Sequence, residues 1–241
     1  MKIITHYSPN YTNIKRSNKS IKTIVIHYTG MQSERESLAR LCDPKADVSS
    51  HYLINEKGDV FRLVKDENIA WHAGKSCWKG FNNLNKNSIG IELVNKGHEF
   101  GYSNFKKKQI LNLIKICREL IKKYKIKKSN IVGHSDIAPL RKIDPGEKFP
   151  WKYLSKKKVG IWHNKNLNYL KKFRKKSIYL KKDKKEFINI LSKIGYGTLG
   201  NKKLWLKKTT KAFQRHFRKE LINGNLDQEC LIIAKNLKKK L

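Results

Sequence analysis

Acidic side chains are scarce in this chain. Its 241 residues hold 19 Asp and Glu against 55 Lys and Arg, a formal net charge of +36. A field of that sign draws polyanions: nucleic acid, anionic lipid or acidic glycan. Lysine, however, is spread along the chain rather than gathered in one arm, and neither an aromatic-interleaved RNP pattern nor zinc-finger spacing is present. Drift toward Lys, Asn and Ile explains the charge equally well, so no specific nucleic-acid partner is expected. Long apolar runs are missing too. With no run of about 18 apolar residues, no transmembrane helix is expected. The stretch MKIITHYSPNYTNIKRSNKS has no continuous apolar segment, so no standard secretory signal is expected and the sequence points to the cytoplasm. Cys42, Cys77, Cys117 and Cys230 are widely spaced and form no CxxC pair. That argues against a zinc knuckle and a disulfide framework, and for a reducing compartment.

The chain is nevertheless rich enough in core formers to fold. Hydrophobic residues make up 39% and aromatics 10%, although a mean hydropathy of -0.67 implies a very polar surface. The length suits one large domain, or a medium one with a small companion. IKTIVIHYTG (residues 21–30) reads as a strand ending at a glycine. Ser33 followed by Glu36 is a capping-box pattern that starts a short helix. SSHYLINEKGDVFRLV reads as two strands around a Lys-Gly turn. In SIGIELVN, Ile89, Ile91 and Leu93 alternate with Gly90, Glu92 and Val94, again a strand. Ile110, Leu113, Ile114, Cys117, Leu120, Ile121 and Tyr124 mark the apolar stripe of a long helix after Ser103. A short strand SNIVGH then leads into SDIAPLRKIDPGEKFPW, where Pro139 and Pro145 predict an irregular loop. Strands interleaved with helices predict an α/β domain, a mixed central β-sheet flanked by helices. After Trp162 the chain turns strongly basic. We read residues 1–163 as the first domain, 164–181 as a basic linker and 182–241 as a small all-α unit of three helices.

The few acids gather where chemistry is most plausible. Around His134 lie Asp136, Asp144 and Glu147. Read alone, GHSD and DPG are compatible with a strand cap and an ordinary turn, Asp144 pairing with Arg141 or Lys142. They are equally compatible with two ligands of a catalytic zinc, which commonly takes three protein ligands and leaves a fourth place for water. His27, at the end of the apolar TIVI run, is the candidate third ligand; alone it is also compatible with a hydrogen-bonded core histidine. Glu92 stands in an otherwise apolar strand, where a carboxylate is costly unless paired or functional. Beside such a metal it suits a general base. Lys142 suits the partner of an oxyanion. No HExxH is present, so the usual zinc-protease helix is excluded.

The blocks IVIHYTG, SSHYLINEKGDVFRLV, AWHAGKSCW, LNKNSIGIELVN and IVGHSDIAPLRKIDPGEKFPW occur in that order from about residue 21 to Trp162. Together they closely resemble the zinc-dependent N-acetylmuramoyl-L-alanine amidases of the type-2 family, related to peptidoglycan recognition proteins and phage T7 lysozyme. The resemblance implies one zinc per chain held by His27, His134 and Asp144, with Glu92 and Lys142 as catalytic residues. It implies peptidoglycan or muropeptide fragments as substrate, cut between N-acetylmuramic acid and L-alanine for wall turnover or recycling. Trp71 and His72, with Asn85 nearby, would line the substrate groove, and His51 would be structural. INILSKIGYGTLG and TTKAFQRHF are similar to the three-helix peptidoglycan-binding domain. That domain order resembles the larger, AmiD-like branch of the family, which places the cell envelope beside the cytoplasm as a location. A non-catalytic peptidoglycan sensor and a phage-type endolysin are the alternative functions. The basic surface would help to hold an anionic wall polymer.

Overall fold

In the computed structural model, residues 2–198 and 201–241 are described. Leu199 and Gly200, the end of the predicted GYGTLG helix stop, lie outside them. The first part of the chain runs through β1 (Ile3–Thr5), β2 (Tyr11–Thr12), β3 (Thr23–Tyr28), α1 (Glu34–Cys42), β4 (Tyr52–Ile54) and β5 (Val60–Arg62). It continues through β6 (Ile69–Ala70), β7 (Cys77–Trp78), β8 (Phe81–Asn82), β9 (Ser88–Leu93), α2 (Lys107–Tyr124) and β10 (Ile131–Gly133). The helices α3 (His134–Ile137), α4 (Trp151–Lys156), α5 (Leu167–Lys171), α6 (Lys181–Ile194), α7 (Lys202–Phe217) and α8 (Gln228–Lys238) complete it.

Six strands form one mixed sheet in the order β1-β5-β4-β9-β3-β10. The pairs β4·β9, β9·β3 and β3·β10 are parallel, and β4·β5 is the antiparallel hairpin expected around Gly58. Central parallel strands are covered on both faces, which is why TIVI is apolar throughout. Ile24 and Ile26 point to the face covered by α2, whose stripe Ile110, Leu113, Ile114, Cys117 and Leu120 is buried against them. Val25 and Val132 point to the other face. They belong to a second buried cluster that includes Trp78, Ile137 and Ala138 and runs on to Phe187, Trp205 and Phe213 of the C-terminal helices. The helical unit therefore shares this core, α7 packing on α3 and α4. The stretch expected as a linker carries α5, whose Leu170 is buried in that same core.

Two local differences from the sequence reading bear on the site. The stretch after Gly133 is not irregular from its start: His134–Ile137 forms a helical turn, closed by Asp136 Oδ2 accepting from Gly133 N–H at 2.8 Å. Ser33 caps α1 as expected, its side chain accepting from Glu36 N–H at 3.2 Å. The Glu36 carboxylate accepts from Gln32 N–H, one residue earlier than a strict capping box requires. No helix among the described residues is long and apolar enough to cross a membrane.

Candidate functional site

Parallel strands release their side chains at a shared carboxyl end, the usual place for a site in such a sheet. Here β3 ends with His27 and Tyr28, β9 with Glu92 and Leu93, and β10 with Gly133, directly before His134. His27 and Glu92 are register partners across β3·β9, so both point to the sheet face opposite α2. Asp144 arrives from the loop after α3. Ser135 N–H donates to the Asp144 carbonyl at 2.9 Å and pins that loop to the start of the helix. Only glycine permits the approach, because a Cβ on Gly133 would stand 2.6 Å from Pro145 Cδ.

Three donor atoms converge as a result. His27 Nδ1 lies 3.0 Å from His134 Nδ1 and 3.1 Å from Asp144 Oδ2, and His134 Nδ1 lies 3.2 Å from that same oxygen. All three residues are buried. For metal–ligand bonds of about 2.0–2.1 Å, neighbouring corners of a tetrahedron are about 3.3 Å apart. The triangle has that size, and two imidazoles with one carboxylate are a donor set suited to a divalent transition ion. The alternative pairing of Asp144 with Arg141 or Lys142 is not seen among the described residues. The Arg141 guanidinium instead donates to the carbonyls of Ala73 and Lys75.

The outer hydrogen bonds leave both Nδ1 atoms free to coordinate. His134 Nε2 lies 3.2 Å from the Ala73 carbonyl, and in the tautomer that donates to that carbonyl Nδ1 is unprotonated, with Arg141 Nη2 3.3 Å away turning its own N–H to the same carbonyl. For His27 the same result comes through a relay. Ser88 O–H donates to the Leu84 carbonyl, so its oxygen accepts from His72 Nε2–H at 3.1 Å. His72 Nδ1 then accepts from His27 Nε2–H at 3.0 Å. A backbone carbonyl thereby sets the tautomer of two imidazoles in series.

Electrostatics follow from burial. Desolvation, with the neighbouring His134, lowers the His27 pKa to about 4, so the ring stays neutral. Burial pushes the Asp144 carboxyl up, but the His134 and His27 imidazoles outweigh it and hold it well below the usual carboxylate range. Glu92 moves the other way: burial and then the charge of Asp144 raise it well above 4.5, against the opposing pull of Lys142. Its Oε2 is buried without a hydrogen-bond partner. A cavity of about 500 Å³ opens onto this group, and Glu92, Lys142 and His72 line it with the three donors.

The remaining sequence candidates divide. His72 reaches the cavity, but both ring nitrogens are engaged in the relay. Trp71 and Asn85 are not among the described residues that line it. Trp71 Nε1–H donates to Thr12 Oγ1 at 2.9 Å, and Asn85 Oδ1 accepts from the backbone N–H groups of His72 and Ala73. Asn85 thereby holds the backbone of the lining residue His72. His51 accepts from Gly90 N–H at 3.0 Å, inside the core. Tyr28 and His98, which the sequence reading did not pick out, also line the cavity, the hydroxyl 2.9 Å from His98 Nδ1. Tyr28 follows His27 at a half-buried strand end, a place that favours a wall residue over a core one.

Comparison with known proteins agrees with this geometry. Residues 17–147 match the N-acetylmuramoyl-L-alanine amidase family Amidase_2. The chain is 38% identical to N-acetylmuramoyl-L-alanine amidase AmiD of Escherichia coli, over 91% of this chain and 83% of that protein. It is 36% identical to 1,6-anhydro-N-acetylmuramyl-L-alanine amidase AmpD of Haemophilus influenzae, but over only 61% of this chain. The structure of AmpDh3 from Pseudomonas aeruginosa in complex with anhydromuramic pentapeptide superposes with a TM-score of 0.82 at 30% identity, over 96% of each chain. Motif order, sheet and convergent triad thus lead to one assignment: the chain belongs to the N-acetylmuramoyl-L-alanine amidase family.

Proposed function

We propose that this chain is a zinc amidase that cleaves the amide between the lactyl group of N-acetylmuramic acid and the L-alanine of the stem peptide. One observation carries the reading. Two imidazole nitrogens and a carboxylate oxygen, from residues up to 117 positions apart, meet within 3.2 Å beside a buried, unpartnered glutamate. His27, His134 and Asp144 would hold zinc. When bound there, zinc would supply Lewis acidity for the scissile carbonyl and for the attacking water. Glu92, with its raised proton affinity, takes the proton from the attacking water and passes it to the leaving nitrogen. The Lys142 ammonium faces the charge that grows on the carbonyl oxygen. His72 and Ser88 keep His27 in its coordinating tautomer, and Tyr28 and His98 form the wall against which the muramyl peptide lies.

Two neighbours support peptidoglycan fragments as ligands. AmpDh3 is solved with an anhydromuramic pentapeptide, and E. coli AmiD with anhydro-N-acetylmuramic acid-L-Ala-D-gamma-Glu-L-Lys. The AmiD structure matches over 95% of this chain with a TM-score of 0.80, so the likeness includes the C-terminal helices. Purified protein incubated with sacculi, and separately with anhydro-muropeptides, should release stem peptides beginning with L-alanine, as read by mass spectrometry. A chelator should abolish release, and zinc should restore it. Undiminished cleavage after the metal is stripped would overturn the mechanism.

A further inference from the structure

Asp136 follows His134 by two residues and has no role in the chemistry above, yet it is only 1% exposed. A carboxylate so far from water needs its oxygens filled by donors. Its own turn supplies one, the Gly133 N–H at 2.8 Å. The other two come from the C-terminal helices. Tyr196 O–H donates to Oδ1 at 2.7 Å, and His216 Nδ1–H donates to Oδ2 at 2.7 Å. Those partners lie 60 and 80 residues further along the chain.

Both donors are held in place by the seam between the helices and the sheet. Tyr196 sits between Gly195 and Gly197, just beyond α6. A Cβ on Gly195 would collide with the Trp78 ring, and one on Gly197 with Cys77 Sγ. Lys79 N–H donates to the Gly195 carbonyl at 2.8 Å, and the Tyr196 ring meets Trp78 edge-on at 5.1 Å. On α7, the His216 ring stacks on Trp151 of α4 with centroids 3.9 Å apart. The GYG stretch therefore delivers a hydroxyl to the amidase sheet.

We propose that Tyr196 and His216 are positioning residues for the metal site: they hold Asp136 and, through it, the turn that aims His134. The inference rests on reading His27, His134 and Asp144 as metal ligands. The path is short. Asp136 closes the turn at which β10 passes into α3, and His134 is the first residue of that turn. Ser135, in the same turn, holds the Asp144 carbonyl, so a shift of the turn displaces two ligands together. With Tyr196 and His216 removed, the carboxylate keeps one donor and the turn opens to hydrate it. On this view the C-terminal helices complete the catalytic site as well as packing beside it.

The test uses the full chain in four variants. Tyr196→Phe removes one hydroxyl. His216→Leu removes the ring donor, and His216→Asn keeps an N–H near the Nδ1 position. Ile190→Val trims the core of the helical unit without touching Asp136. Zinc affinity is measured by competition with a chromophoric chelator, alongside thermal melts and separate kcat and KM values on an anhydromuramyl peptide. Tyr196→Phe and His216→Leu should weaken zinc binding by about 10-fold or more, and lower kcat with little change in KM. His216→Asn should recover most of that loss, and Ile190→Val should lower Tm while leaving zinc affinity at the wild-type value. If wild type binds zinc and the first two variants bind it as tightly, losing only Tm, the positioning role is refuted and the ligand set stands. If wild type itself fails to bind zinc, the ligand assignment beneath the inference is what fails.

Discussion

Replacing Glu92 by glutamine should separate catalysis from stability in opposite directions. The carboxyl is 8% exposed, its Oε2 has no partner, and burial raises its pKa well above 4.5. The folded state thus holds this proton more tightly than the unfolded chain does. The contribution of Glu92 to stability is intact below about pH 4.5 and is lost as the pH rises through its folded value. At pH 7 the unfolded chain has released this proton, so keeping the partly unpartnered carboxyl inside the sheet costs on the order of 1–3 kcal/mol. Glutamine has the same shape and no charge to bury. The metal-stripped Glu92→Gln protein should therefore melt about 2 °C or more above wild type at pH 7, and the gap should close as the pH approaches 4.5. Loaded with zinc, the same variant should lose about 10²–10⁴ in kcat, because no base remains to take the proton. Melts in chelator over a pH series, with turnover of an anhydromuramyl peptide followed by mass spectrometry, read both effects. A variant retaining kcat within about tenfold of wild type would remove Glu92 from the chemistry. A Tm gap indifferent to pH would show that the carboxyl is not strained by burial.

Lys142→Met should lower kcat by about 10²–10³ while zinc affinity stays close to wild type, since the ammonium lines the cavity without being one of the three donors; equal kcat values would exclude it as the oxyanion partner. Gly90→Ala places a methyl against the His72 ring. That should cost about 1–3 kcal/mol by overpacking and weaken zinc binding about 10–100-fold by tilting the imidazole that orients His27; a variant with wild-type zinc affinity would break the proposed relay. Burial lowers the His51 pKa to about 3 and the His163 pKa to about 4, from 6.5 in the unfolded chain. Both bind protons more tightly when unfolded, so their stability is present above pH 6.5 and lost as the pH falls toward 4. Melting temperature of the Glu92→Gln protein, which lacks the opposing titration of Glu92, should fall steadily over that window, and a flat profile would contradict the burial of these rings.

Much of this protein was legible in local pattern. The stripe from Ile110 to Tyr124 could only be a helix with one buried face, and α2 is that helix. Ser33 marked the start of α1, and TIVI and IGIEL marked strands. His27, His134, Asp144 and Glu92 stood out as candidates through motif blocks and through the oddity of a carboxylate in an apolar strand, and the first three converge. The shortest strands were not: β2, β6, β7 and β8 have two residues each, too few to carry a period. The α3 turn was hidden behind two nearby prolines, because its four residues are too few to carry apolar spacing and the Asp136 side chain helps to close it.

Sequence by itself determined which of the longer segments became helices and strands, since periodicity and capping act over a few residues and need no distant partner. It also narrowed the chemistry to a small set of histidines and acids. Only the tertiary structure decided that β3, β9 and β10 run parallel, and that register puts His27 beside Glu92 and within 3.0 Å of His134. Only it placed His72 behind His27, and Tyr196 and His216 against Asp136. Those contacts join residues 45 to 107 positions apart, and at such separations neighbours are chosen by how the sheet and helices pack, which no short window of sequence contains.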